Sequence, residues 1–243
     1  MRTRIDQLLV ARGLFDSRSQ ARAAIEAGLV VVNGVVVRKP SEQFADDAAL
    51  NAQPAHRWVG RGALKLDHAL TVWPVAVEGR VVLDVGASTG GFTEVCLDRG
   101  AAKVFAVDVG FGQMHERVAA DPRVVSLERT DARDLTPDLI PEAPSLIVCD
   151  ASFISLIKVL PVALELAAPG ADLVTLVKPQ FEADGPGGGK KGVVKDPAAH
   201  AAAVERVRDW LEAMGWTVQA TTESPITGGD GNVEFLLWAK KPG

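Results

Sequence analysis

The 243-residue sequence has only two cysteines, Cys96 and Cys149, and neither has a partner at a metal-ligand or C-x-x-C spacing. They read as reduced, core-packed thiols. That reading excludes a disulfide-stapled fold and predicts a cytoplasmic protein. The four histidines, His56, His68, His115 and His200, are scattered without ligand spacing, so no metal is expected. No apolar run approaches the roughly 20 residues that span a bilayer. The amino terminus alternates charged and apolar residues where a signal segment would be hydrophobic. No amphipathic repeat suggests a pore. Secretion, membrane insertion and pore formation are therefore not expected. An excess of positive charge is also missing, since the formal net charge is −5. The average hides an asymmetry. Residues 1–40 carry Arg2, Arg4, Arg12, Arg18, Arg22, Arg38 and Lys39 against Asp6, Asp16 and Glu26, seven minus three or +4, so residues 41–243 sum to −9.

A hydrophobic content of 47% over this length supports a substantial core, in one large domain or a large and a small one. "IDQLLVARGLF" has helical spacing. Ser17 followed three residues later by Gln20 forms a capping box opening the helix "RSQARAAIEA", and Gly28 ends it. In "LVVVNGVVVRK", Asn33–Gly34 between two β-branched runs predicts a hairpin with a two-residue turn. Arg18 and Arg22 share a helix face, and Arg38 and Lys39 end the second hairpin strand. With Arg4 they suggest a phosphate-contacting surface, the alternative being ordinary solvated arginines. Helix, "SRSQARAAIEAG" and a hairpin containing "VNG" resemble the small RNA-binding domain of ribosomal small-subunit protein four. The expected organisation is this domain at 1–44, a linker at 45–60 whose Trp58 packs into a core, and a second domain at 61–243.

From about Gly60 the pattern alternates strand and helix. Val81–Val85, Val104–Val107, Val124–Leu127, Leu146–Cys149 and Leu173–Val177 are short apolar runs suited to parallel strands. Helical segments such as "TEVCLDR" and "IKVLPVALELAA" separate them. After the helix "AHAAAVERVRDWLEAMG" come strand candidates at 217–221 and 233–239. This predicts an α/β fold, a doubly wound, Rossmann-like sheet of seven strands. The first strand runs into Gly86-Ala-Ser-Thr-Gly90-Gly91, which is not the G-x-G-x-x-G of a dinucleotide site. Small residues at Gly86, Ala87, Ser88, Gly90 and Gly91 let backbone approach a ligand, and Phe92 follows, where core packing is its simplest role. Asp84 offers a carboxylate to an ammonium group. Asp108 ends the second strand, where a carboxylate suits ribose hydroxyls, and Asp131 after the third could accept from an adenine amino group. Three carboxylates would repel a phosphate-rich cofactor and suit S-adenosylmethionine. Taken singly, each also reads as a turn, a cap or an exposed strand end.

Asp150 ends the fourth strand and Lys178 the fifth, and an antiparallel last strand would begin at the same edge with Glu234. Lys65, in "RGALKLDHAL", belongs to a helix packed over that opening. This charge-balanced quartet suits activation of a ribose 2′-hydroxyl. Lys178, near a second ammonium group, serves as base; Asp150 and Glu234 orient; Lys65 stabilises the developing alkoxide. The plain alternative is two structural salt bridges. The glycine- and lysine-rich Glu182–Asp196 stretch reads as a loop ordering over RNA or as plain surface. Phe153 has a stacking role open to it, with buried packing preferred.

"RGALKL", "DVGASTGGFT", "AVDVG", "CDASFISL", "LVKPQFE" and "VEFLLW" resemble the TlyA family, which joins the basic amino-terminal module to an FtsJ-type methyltransferase domain. All four quartet positions match. The resemblance implies an S-adenosylmethionine-dependent enzyme placing methyl groups on the 2′-hydroxyl of cytidines in small- and large-subunit ribosomal RNA, with the quartet as catalytic residues. It implies ribosomal RNA or ribosomal subunits as partners; a monomer without membrane or metal is expected. The family is also labelled hemolysin, which nothing in the composition supports. The competing class is an RNA- or ribosome-binding protein whose methyltransferase fold is only a scaffold.

Overall fold

The computed structural model describes residues 2–182, 193–228 and 230–243. Residues 183–192, most of the stretch expected as an RNA-ordering loop, lie outside the described residues. The chain divides at Arg61/Gly62 into two compact units.

In the first unit, β1 (Arg2–Arg4) leads into α1 (Ile5–Ala11) and α2 (Arg18–Glu26). The hairpin β2 (Val30–Val32) and β3 (Val35–Val37) follows, then β4 (Gln43–Ala45) and β5 (Leu50–Ala52). Ser17 caps α2, its Oγ accepting from the Gln20 amide at 3.3 Å. The Gln20 side chain reaches the Asp16 amide, one residue earlier than a standard capping box. Asn33 and Gly34 both have positive φ, 50° and 82°, the pairing required by the tight turn that matches strand twist. Ile5, Leu8, Leu9, Ile25, Val30, Val32 and Val37 form the small core.

Residues 45–60 are not the linker that their lack of period suggested. β5 pairs antiparallel with β2 in a sheet of order β3-β2-β5, and Trp58 is 5% exposed. Three-residue strands are too short to show an alternation, so backbone pairing rather than sequence pattern holds this segment.

The second unit opens with α3 (Ala63–Val72) and β6 (Val81–Val85), then α4 (Gly91–Asp98), β7 (Lys103–Asp108), α5 (Glu116–Ala119) and β8 (Val124–Glu128). It continues through β9 (Leu146–Cys149), α6 (Leu156–Val159), α7 (Pro161–Leu166), β10 (Asp172–Val177) and α8 (Pro179–Glu182). It closes with α9 (Pro197–Ala213), β11 (Thr217–Glu223) and β12 (Phe235–Lys240). Pro161 breaks the expected single helix "IKVLPVALELAA" into α6 and α7, because its ring cannot sit inside a continuous helix. The seven strands lie in the order β11-β12-β10-β9-β6-β7-β8. β6 to β10 are parallel, and β12 runs antiparallel between β10 and β11. The carboxyl ends of β6 and β9 therefore flank the point where strand order reverses, the place open α/β sheets keep for ligands. The register Val177↔Phe235 brings Lys178 and Glu234, one residue beyond each strand, to that same edge.

Candidate active site

The turn after β6 is shaped by close packing. Gly86 has φ +82°, and a Cβ there would stand 3.0 Å from the backbone of Ala151. No other residue could pass so near the end of β9. Ser88 adopts φ 47°, and Gly90, at φ +89°, precedes the first turn of α4. Beside this turn is a cavity of about 570 Å³ bordered by Gly86, Ser88, Asp108, Asp131, Asp150 and Phe153. Its size is that of a site for a small organic ligand.

Asp108 is pinned at the cavity wall, its Oδ2 accepting from the Ser88 amide at 2.8 Å and its Oδ1 from the Gly110 amide at 2.7 Å. Each oxygen keeps a lone pair for a further donor. Asp131 also faces the cavity, but Arg133 pairs with it at 2.6 Å, and hydrogen bonding from Arg133 holds its carboxyl below the ordinary value. The other expected cofactor residues stand back. Ala87, Gly90, Gly91 and Phe92 are outside the lining, and Phe92 is a core residue. So is Asp84, which the sequence placed against a ligand's ammonium group. It is fully buried in the middle of the sheet, and Thr93 Oγ1 donates to its Oδ2 at 2.6 Å. Its Oδ1 has no hydrogen-bond partner among the described residues. Burial, reinforced by the nearby charges of Asp150 and Asp108, pushes the Asp84 carboxyl up to about 7.

The four charged residues come together. Lys65 Nζ donates to Glu234 Oε2 at 2.5 Å and lies 3.8 Å from Asp150 Oδ2. Asp150 Oδ1 is 2.6 Å from Lys178 Nζ, which also donates to Ser152 Oγ at 2.7 Å. The result is an alternating row, Glu234–Lys65–Asp150–Lys178. Three of its members are almost wholly buried, and Asp150 keeps 19% of its side chain exposed. Buried charges of this kind survive only when paired and hydrogen-bonded. The geometry corrects one expectation, because Asp150 sits between the two ammonium groups and shields each from the other. Two glycines give the carboxylates room. A Cβ on Gly62 would come within 3.2 Å of Asp150 Oδ2, and one on Gly228 would collide with Glu234 Oε1.

Ser152 was not singled out from sequence, although its position two residues beyond Asp150 was the available signal. Phe153 corrects the packing preference. It is 88% exposed, has φ 66°, and touches Phe181 with ring centroids 5.3 Å apart.

In the first unit, Arg4 and Arg18 converge on the fully buried Asp6, at 3.0 and 2.8 Å. Burial pushes the Asp6 carboxyl up, but hydrogen bonds from the two arginines outweigh it and leave the group below its ordinary value. Arg22 lies 3.9 Å from Glu26, and the Arg38 guanidinium packs against Gly28. Lys39 follows β3 and keeps a position on the basic stretch. Part of the expected RNA-contacting charge is thus already engaged within the fold. Among the described residues, no group of three or more His, Cys, Asp or Glu could hold a metal ion, and no helix is long and apolar enough to cross a membrane.

The parallel sheet with its inserted antiparallel strand, and a carboxylate-walled cavity where strand order reverses, define the fold of the S-adenosylmethionine-dependent methyltransferases. A Mesorhizobium loti protein of that class shares it at 14% identity, with a TM-score of 0.53 over 74% of this chain and 99% of that one. Residues 58–241 match the FtsJ-like methyltransferase family and residues 3–46 the S4 domain, and the chain belongs to the FtsJ-like methyltransferases. It is 48% identical over 241 residues to the 16S/23S rRNA (cytidine-2′-O)-methyltransferase TlyA of Mycobacterium tuberculosis, covering 98% of this chain and 90% of that protein. A solved Streptococcus thermophilus protein that carries a provisional hemolysin label is 40% identical, with a TM-score of 0.77 over 99% of this chain and 89% of the other.

Proposed function

We propose that this protein transfers a methyl group from S-adenosylmethionine to the ribose 2′-hydroxyl of cytidine in ribosomal RNA. The observation that carries the reading is the alternating row of four charges beside the cavity. Two structural bridges would not need to share Asp150. The cavity residues fit the cofactor: Asp108 has lone pairs free for ribose hydroxyls, and Gly86 and Ser88 border the cavity without a large side chain. When bound, S-adenosylmethionine supplies an electrophilic methyl group on a cationic sulfur.

The chain's own residues prepare the acceptor. A ribose hydroxyl is a poor nucleophile until its proton is removed. Lys178 is the base: the lone pair of its Nζ would take the hydroxyl proton as the oxygen gains its bond to the methyl carbon and the carbon–sulfur bond breaks, the electron pair staying on sulfur. Asp150 orients Nζ and is the one member of the row open to solvent and substrate. Lys65, held by Glu234, keeps a fixed positive charge near the oxygen as negative charge develops there. Phe153, exposed at the cavity edge, offers a face for stacking an unpaired base. The S4 domain supplies the RNA-binding platform.

The test is incubation with labelled S-adenosylmethionine and ribosomal subunits or free ribosomal RNA, followed by mapping of 2′-O-methyl positions. Lys178→Ala should lower transfer by about 10²–10⁴-fold while calorimetry shows cofactor binding retained. Undiminished turnover in that variant refutes the base assignment. RNA binding by the wild type with no label uptake makes the fold a scaffold.

A further inference from the structure

Glu182 is 3% exposed and touches no member of the charged row, yet it is a carboxylate buried close to it in sequence and space. Burying such a group is costly unless its oxygens are satisfied. Its Oε2 accepts from Ser155 Oγ at 2.6 Å and its Oε1 from the Leu156 amide at 2.8 Å. Leu156 opens α6, a single helical turn whose N-cap position is held by Ser155, a residue type able to cap locally. Ser155 makes no such cap and gives its hydroxyl to Glu182 instead. A carboxylate 26 residues away therefore satisfies the first amide of α6, one that an N-cap side chain, which accepts from the second or third, does not reach. The carboxylate both satisfies the start of α6 and ties two distant segments together.

We infer that Glu182 is a positioning residue for methyl transfer, clamping the segment 150–156 onto the end of β10 so that Asp150 and Ser152 meet Lys178 and Phe153 stands at the cavity. This rests on the methyltransferase reading above. Three further links join the same segments: Asp150 to Lys178, Ser152 to Lys178, and Phe153 against Phe181. At its other end, the Asp150 amide donates to Val85 O at 3.1 Å, which fixes the segment to β6. Glu182 supplies the matching anchor beyond Phe153. That anchor also accounts for the backbone of Phe153. A left-handed φ in a residue with a large side chain persists only where its surroundings over-determine it, and the two anchors provide that constraint. Without Glu182, residues 151–155 lose their polar tie to the end of α8, although Leu156 stays packed in the core, and Phe153 relaxes to an ordinary conformation, turning its ring from the cavity.

The test compares Glu182→Ala, Glu182→Gln, Ser155→Ala and the Glu182→Ala/Ser155→Ala pair. Cofactor affinity is read by calorimetry, and single-turnover rate and KM for the RNA are read well below each variant's melting temperature. Glu182→Ala should lower the rate by about 10- to 100-fold, with cofactor affinity within about twofold of the wild type. Glu182→Gln, which keeps a carbonyl acceptor, should recover most of that loss. Ser155→Ala should cost about threefold alone and add little in the pair, since both variants break one link. Rate and KM within about twofold of the wild type in Glu182→Ala overturn the proposal. So does a loss that Glu182→Gln does not rescue and that follows cofactor affinity and melting temperature, because that is a folding role. If Glu182→Ala does not fold, unchanged transfer in Ser155→Ala overturns it by itself. A wild type that methylates no RNA hydroxyl fails the methyltransferase reading instead, and the two failures are distinct.

Discussion

Truncating Glu234 separates a functional row of charges from a pair of structural bridges. In Glu234→Ala the Lys65 ammonium, with 7% of its side chain exposed, loses its 2.5 Å partner and keeps only Asp150 at 3.8 Å. Removing one side of a buried ion pair costs about 3–5 kcal/mol, mostly the cost of the charge left behind. Asp150 compensates in part, which places this variant at the low end, about 3 kcal/mol. In a unit the size of Gly62–Gly243, each kcal/mol moves the melting temperature by about 2–4 °C, so a fall of about 6–12 °C is expected. The informative partner is Lys65→Met combined with Glu234→Leu. It removes both charges, fills the space with apolar groups, and leaves Asp150 paired with Lys178 at 2.6 Å. Its melting temperature should return close to that of the wild type. Its methyl transfer should not return, because no fixed positive charge faces the developing alkoxide. Melting followed by calorimetry, with label uptake measured on the same samples, checks both. A double variant that melts like the wild type and also turns over normally would refute the reasoning.

Asp84, pushed up to about 7 from 3.8 by burial, carries a proton in the folded state at pH values where the unfolded chain has lost it. Its stabilising contribution is therefore full below about pH 4 and falls away as pH rises through 7. Asp84→Asn should gain on the wild type between pH 5 and 8, by up to about 4 kcal/mol, and a difference in melting that does not change with pH overturns the assignment. Phe153→Gly should leave the melting temperature unchanged or raise it, because φ 66° suits glycine, while RNA methylation falls by about 5- to 100-fold. Equal activity in that variant removes the stacking role. Arg22→Glu with Lys39→Glu should weaken RNA binding and reduce the salt slope by about 1.4–1.8. Arg18 is avoided because it holds the buried Asp6, and its loss would unsettle the first unit. An unchanged slope makes those two residues ordinary surface.

Features fixed by nearby residues were legible in the sequence. Ser17 and Gly28 bounded α2, Asn33–Gly34 made the hairpin, and seven strands stand where apolar runs predicted them. The meeting of Lys65, Asp150, Lys178 and Glu234 was also legible, because strand ends share an edge once the sheet is assigned and its last strand reversed. Features that depend on distant partners were not. Nothing near Asp84 in the chain says that the Thr93 hydroxyl will occupy it and the sheet bury it. Nothing near Phe153 says that a carboxylate beyond β10 will hold its loop outward. Residues 45–60 acquired their strand by pairing with a hairpin already formed, which leaves no periodic trace.

The reversal of β12 has a consequence for when this protein becomes competent during its own synthesis. Glu234 arrives at its place only when the strand that follows it slots between β10 and β11, joining a sheet whose other members all precede it in the chain. A product ending between β11 and Glu234 has the cofactor turn, both lysines and Asp150, but lacks the anion that restrains Lys65. A fragment of that kind should transfer no methyl group even where its cofactor turn is intact.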